Sequence, residues 1–143
     1  MLIGEFRHSI DAKGRTSLPA LFKKEMGKVV YITRGLDGMI DVYTKKSWDI
    51  LQEKLAELPM TVKANRDFKR FILGASSELS SDKQGRILIS AALREHAGIS
   101  NGKVVWTGVG DKAEIWSEER WDANANANSE NIESIAASLD GII

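Results

Sequence analysis

Five residues, Asp-x-x-Gly-Arg, occur twice in this chain, as DAKGR at 11–15 and DKQGR at 82–86, and their surroundings repeat with them. Shifting the chain on itself by 71 positions lays Asp11, Gly14, Arg15 and Ala20 on Asp82, Gly85, Arg86 and Ala91. Leu18 then meets Ile89, and Lys23 meets Arg94. After a short insertion, KVVYI (28–32) matches KVVWT (103–107) at an offset of 75, and IDVYTKKSWD (40–49) matches AEIWSEERWD (113–122) at 73. An internal repeat outranks any single-element reading, because each copy must form the same structure. Two copies are too few to stack as a solenoid. They imply two halves, 1–76 and 77–143, related by a pseudo-two-fold axis and packed as a homodimer would pack.

The pattern within a copy is mixed α and β. GEFRHSI (4–10) alternates as a half-buried strand does. DAKG (11–14) is a turn: an Asp accepts from nearby backbone N–H groups and a Gly takes positive φ. RTSL (15–18) returns as a strand. Pro19 suits the start of a short amphipathic helix, ALFKKEM (20–26), ended by Gly27. VVYIT (29–33) and MIDVY (39–43) are further strands, separated by the turn GLDG (35–38). Ser47 is placed as N-cap of a helix with Trp48, Leu51, Leu55 and Leu58 on one face, stopped by Pro59. RDFKRFILG (66–74) is a second helix leading into the other copy, where the order repeats with Ser90 in the place of Pro19. The tail SENIESIAASLDG (129–141) has helical spacing, and ANANAN (123–128) suits helix or linker. Four short strands close poorly alone and leave edges; two interleaved units would cover them.

Composition narrows the chemistry. A chain of 143 residues, 43% apolar and 28% charged, fits one ordinary domain or two very small ones. With no cysteine, disulfides, thiolate metal sites and cysteine nucleophiles are excluded. His8 and His96 stand alone and read as solvated or core-edge residues. No leader-like or membrane-length apolar run is visible, so the expected compartment is the cytoplasm, with no membrane partner. Net charge is zero but divided: residues 1–76 hold 14 Lys and Arg against 9 Asp and Glu, and residues 77–143 hold 6 against 11. Such a division suits chance clustering of solvated charge, a basic half meeting a polyanion, or attraction between halves of neighbouring subunits.

The repeated turn carries the functional expectation. Asp11 and Asp82 lie four residues before Arg15 and Arg86, where a reversed chain brings carboxylate and guanidinium together. This pair can simply staple a hairpin. It can also orient an arginine, with Lys13 beside it, as a fork of donors for phosphate or for guanine O6 and N7. The carboxylates make a poor acid–base pair, since an adjacent Arg holds each ionised. The tryptophans Trp48, Trp106, Trp116 and Trp121 sit on apolar faces and read as core rather than as a stacking platform, and KANRDFKR (63–70) as a solvated helix face or a phosphate-contacting stripe.

The segments DAKGRTSLPALFK, NRDFKRFILGASSELSSDKQGRILISAALREHAGI and AEIWSEERW together resemble the MraZ family, bacterial regulators of the division and cell-wall gene cluster. The resemblance spans residues 1–122; Ser90 stands where the second copy usually has proline. It implies a fold of duplicated AbrB-like swapped-hairpin β-barrel halves with peripheral helices. It implies a closed ring of about eight to twelve subunits, a homo-oligomer of cyclic symmetry. It also implies a nucleoid-associated repressor that binds double-stranded DNA at tandem direct repeats in its own promoter. The DNA-facing residues carried over are Asp11, Arg15, Asp82 and Arg86; the loop neighbours Lys13, Gly14, Lys83 and Gly85 complete the expected site. No catalytic residue, cofactor or metal is expected. The alternative function is a ring-forming interaction scaffold that does not bind DNA; an enzyme has no visible nucleophile, metal cluster or phosphate loop to support it.

Overall fold

The computed structural model describes the whole chain, Met1–Ile143. Copy one supplies β1 (Leu2–Ser9), β2 (Arg15–Ser17), α1 (Ala20–Met26), β3 (Val29–Arg34), β4 (Ile40–Tyr43), α2 (Lys45–Glu57) and α3 (Lys63–Leu73). Copy two supplies β5 (Ser77–Ser80), β6 (Arg86–Leu88), α4 (Ala91–Ala97), β7 (Lys103–Gly110), β8 (Lys112–Ser117), α5 (Glu118–Ser129) and α6 (Ile132–Ala137). Six strands form one antiparallel sheet in the order β1-β7-β8-β4-β3-β5, while β2 and β6 pair as a separate ribbon.

The copies are interleaved. The first strand of copy one pairs with the third of copy two, from Leu2↔Gly110 to Ser9↔Lys103, and β5 returns the exchange on β3, from Val29↔Ser80 to Ile32↔Ser77. The fourth strands β4 and β8 meet in the middle. Exchanging the copies maps the strand order onto its own reverse, so the pseudo-two-fold axis runs between β4 and β8 and between β2 and β6. The expected closed β-barrel halves are not formed. The ribbon strands are three residues each and pair with one another, so no strand joins β1 to β5 and the sheet stays open at both.

One main core draws on both copies: Phe22, Val30, Ile32, Ile40 and Val42 pack with Ile87, Ile89, Leu93, Val104, Trp106 and Ile115. Phe22 meets Phe6 edge-on at 5.2 Å and leans on Trp106 at 6.3 Å. Each such side chain contributes about 1.5–3 kcal/mol on burial. A second cluster lies under α2 and α3, where Trp48 stacks on Tyr31 at 5.5 Å and packs with Tyr43, Leu55 and Ile72. A third joins Met39, Val105 and Trp116, with Trp121 against it.

Local signals held with two displacements. Ser90, in the place of Pro19, caps α4, accepting from Leu93 N–H at 3.2 Å. The cap of α2 is Thr44, not Ser47; Ser47 lies inside the first turn and donates its N–H to the Thr44 hydroxyl. The helix expected over 129–141 forms only as a shorter one. ANANAN continues α5, and the chain breaks at Glu130 and Asn131 before the short α6, whose Ile132 and Ile135 remain exposed.

Across the central seam, Lys112 of β8 donates to Asp41 of β4 at 2.7 Å and lies 3.5 Å from Glu114. Burial pushes the Asp41 carboxyl above its ordinary value, and the Lys112 hydrogen bond opposes that rise. Removing the lysine leaves a buried carboxylate without its cation, held only by the Tyr43 hydroxyl at 3.4 Å. Lys112→Ala is expected to cost about 3 kcal/mol, read as a lower urea midpoint at unchanged slope.

Candidate nucleic-acid interface

Both Asp-x-x-Gly-Arg turns have the same construction. Asp11 Oδ1 accepts from the backbone N–H of Lys13 at 3.0 Å and of Arg15 at 2.9 Å, and its Oδ2 accepts from Arg15 Nε at 2.7 Å. Asp82 does the same with Gln84 N–H (2.8 Å), Arg86 N–H (2.9 Å) and Arg86 Nε (2.9 Å). The backbone closes each loop, Gly14 N–H donating to the Asp11 carbonyl and Gly85 N–H to that of Asp82. Accepting these bonds, first from the arginine's own N–H, holds both carboxyls below the ordinary aspartate value, so they are ionised at neutral pH. The staple and the orienting device are one arrangement. Only Nε of each guanidinium is occupied by the protein; the terminal nitrogens of Arg15 and Arg86 donate to no protein acceptor.

The ribbon brings these arginines to one face. Arg15 opposes Leu88, Thr16 opposes Ile87 and Ser17 opposes Arg86. Alternation sends Thr16 and Ile87 inward, both buried, and Thr16 is fixed by its bond to the Ser9 carbonyl and by Trp106 Nε1. The outer face is therefore Arg15, Ser17, Arg86 and Leu88. Ser17 and Leu88 were not anticipated, although the two-residue period after each Gly-Arg places them beside the arginines. Lys13 and Lys83 are exposed on the loops; Gly14 and Gly85 are buried within them.

Beside the second turn lies an open basin of about 650 Å³ lined by Lys23, Gly27, Lys28, Ser81, Asp82 and Lys83. None of its three lysines is in an ion pair. Lys23 and Lys28 escaped sequence reasoning because they belong to the other copy. Lys28 is brought beside the second turn by the exchanged pairing of β3 with β5 and the bond from Ser81 N–H to its carbonyl at 2.9 Å, and Lys23, on α1, by the bond from Leu18 N–H to the Gly85 carbonyl at 3.0 Å. At the first turn, Arg94 takes the place of Lys23, and its Nε donates to the Ile89 carbonyl at 3.2 Å.

The other candidates have structural employment. Trp48, Trp106 and Trp116 are buried, and Trp121 donates to Glu5. His8 Nδ1 lies 2.7 Å from the Ser17 carbonyl; His96 Nε2 lies within reach of the Gly35 and Met39 carbonyls. Residues 63–70 lie in a helix where Lys63 and Arg70 pair with Asp67, Arg66 and Lys69 donate to the Met60 and Leu58 carbonyls, and Phe68 packs inward. No group of His, Asp and Glu is placed to hold a metal ion.

Comparison with known proteins agrees with the repeat. The family model described as MraZ protein, putative antitoxin-like, matches twice, over residues 1–71 and 72–141. A protein of Ligilactobacillus salivarius (strain UCC118) named Transcriptional regulator MraZ is 47% identical over 139 residues, covering 97% of this chain and 96% of the relative. A protein of the same name from Thermoanaerobacter sp. (strain X514) is 45% identical over 142 residues, covering 99% of each. Another, from Limosilactobacillus reuteri (strain DSM 20016), is 44% identical over 140 residues, covering 98% of each.

The two turn glycines are not equally replaceable. Both have positive φ, +91° at Gly14 and +75° at Gly85. A Cβ at Gly14 would sit 2.6 Å from the Ile89 carbonyl oxygen, a backbone atom, whereas at Gly85 the nearest atom is the mobile Lys23 Nζ at 3.1 Å. Gly85→Ala should therefore cost only the left-handed penalty of about 1–2 kcal/mol, and Gly14→Ala clearly more. Parallel thermal melts check the order; equal midpoints would contradict it.

Proposed function

We propose, because this chain belongs to the MraZ family, that it is a transcriptional regulator which binds double-stranded DNA through its two Asp-x-x-Gly-Arg turns. The observation that carries this reading is the pair of Asp-tethered arginines on one outer face of the β2–β6 ribbon, each with its terminal nitrogens free. The major groove of B-DNA admits a two-stranded ribbon, and a free guanidinium edge matches guanine O6 and N7. Asp11 and Asp82 act as positioning residues: each orients its arginine before DNA arrives and so lowers the ordering cost of binding. Gly14 and Gly85 let the loops reverse. Lys13 and Lys83, with Lys23 and Lys28 in the basin, are suited to phosphate oxygens and to the salt dependence such contacts bring.

The larger reading extends to assembly. The chain is taken as two AbrB-like swapped-hairpin halves, 1–76 and 77–143, a view supported by the exchange of β1 and β5 between copies. The open edges β1 and β5 offer hydrogen-bonding rows to neighbouring chains. A heterologous contact of this kind closes into a ring when its rotation allows, here of about eight to twelve subunits. Part of the opposite charge of the two halves is already engaged within one chain, where Arg7 pairs with Glu118 and Asp122. A ring would repeat the ribbon at fixed spacing and engage tandem direct repeats in the protein's own promoter, repressing the division and cell-wall cluster from the nucleoid. No helix is long and apolar enough to cross a membrane. The family is one of transcriptional regulators rather than enzymes.

Arg15→Ala and Arg86→Ala test the reading directly. Each side chain is partly exposed, so both variants should fold and assemble as the parent does. Each should lose about 1–3 kcal/mol of discrimination per bidentate contact, measured by fluorescence anisotropy on the native promoter fragment against a scrambled one. Unchanged affinity in both variants, or wild-type protein with no salt-dependent DNA binding, would leave the scaffold alternative standing. A ring should also bind three boxes more than additively better than one, through raised effective concentration. Insertions of half a helical turn between boxes should harm binding more than full-turn insertions; a monomer in light scattering, or equal affinity for one box and three, contradicts the assembly.

A further inference from the structure

The outer face of the ribbon departs from its own two-fold symmetry at one pair of positions: Ser17 in copy one corresponds to Leu88 in copy two. Leu88 is 54% exposed, whereas its neighbours Ile87 and Ile89 are buried in the core. Strand alternation explains Ile87 and Ile89 and calls for nothing apolar between them. The flanking bonds run from Leu18 N–H to the Gly85 carbonyl and from Ile89 N–H to the Gly14 carbonyl. The pairs Arg15–Leu88 and Ser17–Arg86 between them are thus the close, non-hydrogen-bonded pairs of the ribbon, with Cβ atoms about 4.5–5.5 Å apart. An aliphatic side chain is consequently the cross-strand neighbour of one Asp-tethered arginine, and a small hydroxyl that of the other.

A phosphate backbone has no use for such an aliphatic group. The floor of the major groove does: guanine presents acceptors to an arginine, and a neighbouring thymine presents its 5-methyl group to an apolar side chain. We propose that Leu88 is a base-reading residue that packs on a thymine 5-methyl group beside the guanine engaged by Arg15, while the Ser17–Arg86 side reads its guanine without a methyl partner. The inference rests on the DNA-binding reading above and assigns it a polarity. A ribbon with identical halves would favour two-fold symmetric boxes. With leucine on one side and serine on the other, the two ends of a box are read differently, which suits boxes repeated in one direction.

Deoxyuridine differs from thymidine only by that methyl group, so it isolates the contact. Wild-type protein and Leu88→Ser would be titrated with the native promoter fragment and with the same fragment carrying deoxyuridine throughout. A methyl contact of the usual size gives about a fourfold preference per engaged subunit. Wild-type should show that preference, and Leu88→Ser should bind both fragments alike, at the affinity of wild-type for the deoxyuridine fragment. Serine already serves at position 17 of the same ribbon; if Leu88→Ser melts below wild-type, Leu88→Gln takes its place. The inference is overturned, with DNA binding intact, if wild-type binds both fragments equally or if Leu88→Ser keeps the full preference. If wild-type binds neither fragment, the DNA-binding reading fails and this one with it.

Discussion

Strand exchange between the two copies is the constraint on which the rest of the structure depends. β1 leaves the copy that encodes it and pairs along its whole length with β7, and β5 pairs with β3 in return. Neither copy alone can cover its third strand or complete the core, because Phe6 and Phe22 of one pack with Trp106 of the other. The exchange also decides where function can sit. It brings β2 and β6 side by side across the axis, so two turns 71 residues apart in sequence end on one ribbon face. Loop closure over so many residues is entropically unfavourable, and the shared core is what offsets it.

Within that frame a single carboxylate does two things at each turn. Its bonds to backbone N–H groups set the loop, and its remaining oxygen sets the direction of the arginine. Those bonds also keep it ionised through neutral pH. Protonation, reached only as pH falls below the ordinary aspartate range, would weaken loop and orientation together. A free arginine on a flexible loop would have to be ordered by its ligand; here folding has already ordered it.

Much of this was legible in the residues. The offset of 71 exposed the duplication, and strand alternation with turn chemistry located most of the elements, because those signals are local. The Asp–Arg tether was readable for the same reason, since its partners lie four residues apart. What escaped depends on pairing across the axis. An open sheet replaced the closed barrel halves because β2 and β6 are too short to join its edges. Lys28 reaches the second turn through β3–β5 pairing and Lys23 through the β2–β6 ribbon. Ser47 looked like a cap because it precedes Trp48, but the chain turns earlier, at Thr44. The helical spacing of Ile132 and Ile135 specified a helix without specifying a partner for it.

The copies have diverged where packing differs and stayed alike where the chain reverses. Tyr31 and Trp106 are counterparts in the repeat, yet Tyr31 lies partly exposed on Trp48 while Trp106 is enclosed in the main core. Thr16 and Ile87 are counterparts as well; both are buried, but only Thr16 has a hydroxyl, satisfied by the Ser9 carbonyl and shared with Trp106. The asymmetry of the interior therefore reaches the ribbon's inner side and continues on its outer side as Ser17 and Leu88. The Asp, Gly and Arg of the two turns do not follow it: their hydrogen-bond lengths agree within 0.2 Å between copies. A duplicated chain that needed only a stable core would be free to let one turn drift. Keeping two identically tethered arginines on an otherwise asymmetric ribbon makes sense if both must present the same donor fork to one ligand, while the residues beside them tell its two ends apart.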